Sequence, residues 1–97
     1  MALTCKLTTP ELQERKRSVI SKLKALMLAK TETASGFSYR FHGDDETLDL
    51  LNNFIKTERM CCDFFTFKLI VTAEGMAEME LSGPIGTKDF IVSELQF

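Results

Sequence analysis

The segment FFTFKLIVTAEGMAEMEL, from Phe64 to Leu81, decides the fold class. Phe64 to Ala73 is rich in aromatic and β-branched residues, the composition of a strand. Glu74-Gly75 makes a turn, and Met76 to Leu81 returns as a second strand. On the first strand Phe65, Phe67, Leu69 and Val71 oppose Thr66, Lys68 and Thr72. On the second, Ala77, Met79 and Leu81 oppose Glu78 and Glu80. Such a hairpin turns one face to a core and the other to water, so it needs a covering layer on one side only.

Upstream, Phe37-Ser38-Tyr39-Arg40-Phe41-His42 repeats the alternation, with Phe37, Tyr39 and Phe41 inward. Gly43-Asp44-Asp45 closes that strand, and Asp44 or Asp45 can cap a helix running to about Cys62. Further upstream, Thr8-Thr9-Pro10-Glu11 reads as a helix start, with Thr9 as N-cap and Pro10 in the first position. Leu12, Val19, Ile20, Leu23, Leu26 and Met27 then recur at helical spacing, which predicts a helix from about Pro10 to Lys30. Thr31 to Gly36 reads as a loop, and residues 2–7 as a short first strand. Downstream, Ser82-Gly83-Pro84-Ile85-Gly86 is a break before a short helix through about Leu95. The order is β-α-β-α-β-β-α. It predicts an α+β, ferredoxin-like two-layer sandwich whose antiparallel or mixed sheet carries helices on one face.

The 97 residues suffice for a single domain, 1–97, and the apolar fraction of 44%, with eight Phe, supports a core without staples. A net charge of −2 with mixed signs leaves no basic footprint for nucleic acid or an anionic membrane. No apolar run approaches the ~20 residues of a membrane span. The N-terminus lacks the apolar core of a signal peptide, so a cytoplasmic location is expected, with the three cysteines mainly reduced. An odd count also argues against a disulfide framework.

Chemistry concentrates at the end of the second predicted helix, in Glu58-Arg59-Met60-Cys61-Cys62-Asp63-Phe64. With about 100° per residue, the apolar arc of that helix contains Leu48, Leu50, Leu51, Phe54, Ile55, Cys61 and Cys62. Glu58 falls near the middle of the arc, whereas Asp49, Asn52, Asn53, Lys56 and Arg59 lie opposite. A carboxylate there must be paired, hydrogen-bonded or protonated. A structural ion pair is one outcome, with Arg15 as a candidate partner. The other is a site in which Glu58 acts as proton acceptor or metal ligand beside the thiols.

Adjacent cysteines diverge by about 100° on a regular helix, so they meet only if the helix ends or unwinds there. Each alone suits a core position, since Cys is among the most buried residue types. The partial negative charge of a helix C-terminus opposes thiolate formation. An activated nucleophile would therefore need a cation, which Arg15 or Lys16 could supply. Cys5 would join the pair if its strand were central, making a three-thiol site for a soft ion such as zinc, copper(I), mercury(II) or arsenite.

The remaining candidates carry less. His42 falls with Arg40 on the solvent side. Tyr39 points inward, where its hydroxyl needs a partner, either Glu58 or backbone. Ser82 to Lys88 precedes a helix that could receive an anion, but lacks the phosphate-loop pattern.

Three segments, Cys5-Lys6-Leu7-Thr8 leading to Glu11-Leu12-Gln13-Glu14-Arg15, then Glu58 to Phe64, then Gly83-Pro84-Ile85-Gly86-Thr87-Lys88-Asp89-Phe90, together carry a resemblance. The chain resembles a group of small uncharacterised bacterial proteins with an E-R-x-C-C-P-F segment and a downstream G-P-x-G-x-K-[DE]-F segment. The resemblance implies a stand-alone domain and no particular activity. It marks Cys5, Arg15, Glu58, Cys61 and Cys62 as the matching site positions. Asp63 here replaces the proline of the pattern, which permits the helix to stop without forcing it.

Three functions fit these residues. The first is a thiol-carboxylate pocket for a soft metal, such as zinc or copper, or a thiophilic ligand. It would use Cys61, Cys62, Cys5 and Glu58 as ligands, with Arg15 as charge partner. The second is a non-catalytic, self-associating module, such as a homodimer, with structural cysteines. The third is a thiol redox enzyme with Cys61 or Cys62 as nucleophile.

Overall fold

A computed structural model describes residues 9–97. Helix α1 spans Pro10–Leu26, strand β1 Ala29–Glu32, strand β2 Gly36–His42 and helix α2 Asp45–Cys61. Strands β3, Thr66–Val71, and β4, Met76–Ser82, form the expected hairpin. Helix α3, Thr87–Phe90, continues into a wide π-type turn, Ile91–Leu95.

The described strands make one four-stranded antiparallel sheet in the order β1-β2-β4-β3. Strands β2 and β3 run the same way, joined through α2, with β4 inserted between them. The protein is α+β, but its order over the described residues is α-β-β-α-β-β-α. This corrects the ferredoxin-like order β-α-β-α-β-β-α and the mixed-sheet option. The predicted strand at 2–7 lies outside the described residues.

The correction turns on Ala29–Glu32. Expected as helix end and loop, it pairs instead with β2, Ala29 opposite Arg40 and Glu32 opposite Phe37. All four residues are exposed, so no alternation marks the strand. Pairing with β2 outweighs local propensity. Helix α1 accordingly stops at Leu26, and the Leu28 amide donates to the Arg40 carbonyl at 2.7 Å. The turn into β2 closes where the Thr33 amide donates to the Gly36 carbonyl at 2.9 Å. Gly36 itself passes so close to β4 that a Cβ would sit 1.7 Å from the Leu81 carbonyl oxygen. No other residue fits there without moving the strands apart.

The faces divide as the alternation predicts, except that Val71, expected inward at the end of β3, is exposed. Phe37, Tyr39, Phe41, Ala77, Met79 and Leu81 are buried, while Arg40, His42, Lys68 and Glu78 are exposed. The buried face meets Val19, Ile20 and Leu23 of α1, Leu51 and Phe54 of α2, and Phe90, Ile91 and Leu95 near the C-terminus, in one hydrophobic core. Phe97 closes this core, stacked on Tyr39 with ring centroids 4.3 Å apart. Among the described residues no helix is long and apolar enough to cross a membrane.

Candidate functional site: a buried thiol-carboxylate cluster

Helix α2 carries the cluster, and its two ends fix where the cluster sits. At the start, the Asp44 carboxylate accepts from the Thr47 amide at 3.2 Å and the Thr47 hydroxyl at 2.7 Å. That N-cap sets the helical phase. Leu51, Phe54 and Cys61 then face the core, and Glu58 among them is only 1% exposed. At the far end, the Cys62 amide donates to the Glu58 carbonyl at 2.6 Å, and the chain then leaves the helix at Cys62, with φ −121° and ψ 77°. The Phe65 amide donates to the Cys62 carbonyl at 3.3 Å, closing the turn. The helix therefore stops without the proline.

That exit resolves the divergence of adjacent residues. Cys62 has non-helical dihedrals, so its side chain no longer points about 100° away from Cys61. The two Sγ atoms lie 3.7 Å apart, too far for a disulfide bond of about 2.05 Å. Cys62 Sγ lies 3.7 Å from Glu58 Oε1, and Cys61 Sγ lies 3.6 Å from the Glu58 carbonyl oxygen. Cys61 is 1% exposed and Cys62 fully buried. Two sulfurs and a carboxylate oxygen thus fall within 4.8 Å of one another.

Lys16 supplies the charge. Its Nζ lies 3.3 Å from Glu58 Oε1, and its side chain is 16% exposed. Glu58 Oε2 has no hydrogen-bond partner among the described residues. Burial pushes the Glu58 carboxyl above its ordinary value, against the opposing pull of the Lys16 ammonium and the Cys62 thiol. Desolvation wins because one cation and one thiol replace a full hydration shell.

The structure brings Glu58, Cys61 and Cys62 together. Arg15 is exposed, and the cation beside Glu58 is its neighbour Lys16. The position of Lys16 inside the apolar arc of α1 was the sequence signal for that role. Cys5 lies outside the described residues. Tyr39 is buried, and its hydroxyl has no hydrogen-bond partner among the described residues, Glu58 included. Burial raises its pKa. His42 is exposed on the solvent face, as the alternation requires.

The turn before α3 offers no comparable site. A depression there is lined by Ser35, Gly83, Gly86, Thr87, Lys88 and Asp89, among others. Its cation, Lys88, is bound to Glu32 at 2.7 Å, and Asp89 adds a like charge to any anion.

Compared with protein families, curated proteins and solved structures, the chain matches none. The likeness to the bacterial proteins of the Cys-Cys pattern therefore rests on the motif residues alone.

Proposed function

We propose that the protein binds a soft metal ion or another thiophilic ligand through Cys61, Cys62 and Glu58. One observation carries this reading: three donor atoms of soft and hard type, all buried, lie within 4.8 Å of one another, and the second carboxylate oxygen has no hydrogen-bond partner among the described residues. A buried acceptor without a donor costs about 1–3 kcal/mol, which a bound cation would recover. Neither sulfur is presented to solvent, so the cluster suits enclosure of a small ion better than attack on a bulky substrate. Native mass spectrometry with zinc, copper(I) and arsenite tests the reading. A stoichiometric adduct is expected, and Cys61→Ser with Cys62→Ser should abolish it. An adduct that survives the double substitution contradicts it.

A second reading, self-association, is supported by the sheet edges. Among the described residues strand β3 is an outer strand, and Ile70 and Val71 on it are exposed. The opposite edge, β1, is guarded by Lys30 and Glu32. Strand β3 carries one exposed charge, Lys68, beside Ile70 and Val71, and the exposed apolar part of an outer strand is a template for strand pairing. Sedimentation at rising concentration should then show a dimer that Ile70→Lys disperses. A wild-type protein that stays monomeric at high concentration excludes this reading.

A further inference from the structure

We infer that the cluster is built for a divalent ion in tetrahedral coordination, of the zinc class, with Glu58 as a direct ligand alongside both sulfurs. This inference rests on the reading of the cluster as a ligand site and narrows it to one ion chemistry.

Geometry supplies the first argument. With Zn–S bonds of about 2.3 Å and tetrahedral angles, two sulfur ligands stand about 3.8 Å apart. A sulfur and a carboxylate oxygen, with Zn–O about 2.1 Å, stand about 3.6 Å apart. The distances here are 3.7 Å for Cys61 Sγ to Cys62 Sγ and 3.7 Å for Cys62 Sγ to Glu58 Oε1. These two edges of the donor triangle fit with shifts of about 0.1 Å, and the third, from Cys61 Sγ to the Glu58 carboxylate, is within 4.8 Å. An ion held linearly between the same sulfurs at that bond length would need them about 4.6 Å apart. Cys61 and Cys62 would have to spread against the end of α2 to accept it.

Charge supplies the second. Two thiolates and the Glu58 carboxylate carry three negative charges, and Lys16 carries one positive. Among the described residues a divalent ion makes the sum zero with Glu58 ionised and bound, whereas a monovalent ion reaches zero only if Glu58 keeps its proton and is no ligand, in a site whose three donors are at most 1% exposed. An uncompensated buried charge is strongly unfavourable. On binding, the ion forms bonds to both sulfurs and to Glu58, and the two thiol protons leave to solvent. Glu58 Oε2, which has no hydrogen-bond partner among the described residues, gains a cation beside it. A neutral fourth donor would complete the tetrahedron without disturbing that balance. Mixed sulfur and oxygen donors suit zinc, which is borderline in softness, better than purely thiophilic ions.

Cobalt(II) is the probe, because its absorption reports coordination geometry and sulfur ligation directly. Titration of the full chain should give the intense visible bands of a tetrahedral site and a sulfur-to-metal band in the near ultraviolet. Both should saturate at one equivalent and be displaced by one equivalent of zinc. Glu58→Gln, which retains both sulfurs, should weaken zinc binding about tenfold or more. Zinc should also slow alkylation of Cys61 and Cys62 in the wild-type protein, a readout that needs no variant. The weak spectrum of an octahedral site, or unchanged affinity in a folded Glu58→Gln variant, would overturn the inference. Binding of copper(I) or arsenite without cobalt or zinc would also overturn it and leave the broader thiophilic reading standing. Failure of every ion to bind would overturn both.

Discussion

Two lysine–glutamate pairs occupy opposite environments. Lys88 and Glu32 meet at 2.7 Å where Glu32 is 67% exposed, and the Lys88 ammonium holds the Glu32 carboxyl below its ordinary value. Lys16 and Glu58 meet at 3.3 Å where Glu58 is 1% exposed, and burial pushes that carboxyl the other way. The same two side chains thus give opposite shifts. At the surface water solvates both charges, and the partner only adds attraction. In the core the partner must replace the water, and a single ammonium does not suffice. The surface pair ties β1 to the start of α3. The buried pair holds a costly carboxylate beside two thiols, which is an arrangement suited to a ligand.

The largest expected effect comes from removing the cation of the buried pair. Lys16→Met should destabilise the protein by about 3 kcal/mol at neutral pH, because it strands the Glu58 carboxylate. Urea denaturation measures this. A loss under about 1 kcal/mol would show that Glu58 reaches water in some other way. The deficit should shrink on acidification, since a protonated Glu58 no longer needs the ammonium.

Next in size is the pH dependence that Glu58 imposes. Its folded pKa is raised above the ordinary 4.5, so the folded state holds its proton more tightly than the unfolded chain. That contribution to stability is fully present below 4.5 and is lost as pH rises through the raised folded value. Glu58→Gln should flatten this decline. At neutral pH it should leave stability within about 1 kcal/mol of wild type, because the amide oxygen still accepts from Lys16. Thermal denaturation from acid to neutral pH is the check, and an unaltered slope in the variant would assign the dependence elsewhere.

The smallest effect belongs to the surface pair. Lys88→Met should leave the melting temperature unchanged within error, and any trace of a difference should vanish in high salt. A clear destabilisation would mean that the β1–α3 contact does more than its exposure suggests.

Much of this contrast was legible in the sequence, for physical reasons that can be named. Glu58 stood out because α2 is otherwise cleanly segregated, so one carboxylate on the apolar arc had no polar excuse. The alternation in Phe37–His42 and Met76–Leu81 placed Tyr39 and Met79 inward because one sheet face is covered. Strand β1 was not legible: Ala29–Glu32 is exposed throughout, and its hydrogen bonds to β2 leave no mark on its own residues. The meeting of the two sulfurs was also hidden. It depends on the dihedrals of Cys62, which Asp63 permits but does not dictate. The choice of Lys16 over Arg15 was legible in part, because Lys16 falls inside the apolar arc of α1 and Arg15 at its edge.

The most direct test of the central claim is zinc-edge X-ray absorption on the protein loaded with one equivalent of zinc. The account predicts two sulfurs at about 2.3 Å and an oxygen-containing remainder at about 2.0–2.2 Å. Cys61→Ser and Cys62→Ser should each remove one sulfur from that shell. A shell of oxygen and nitrogen alone, unchanged by either substitution, would contradict the assignment of Cys61, Cys62 and Glu58 as a ligand site.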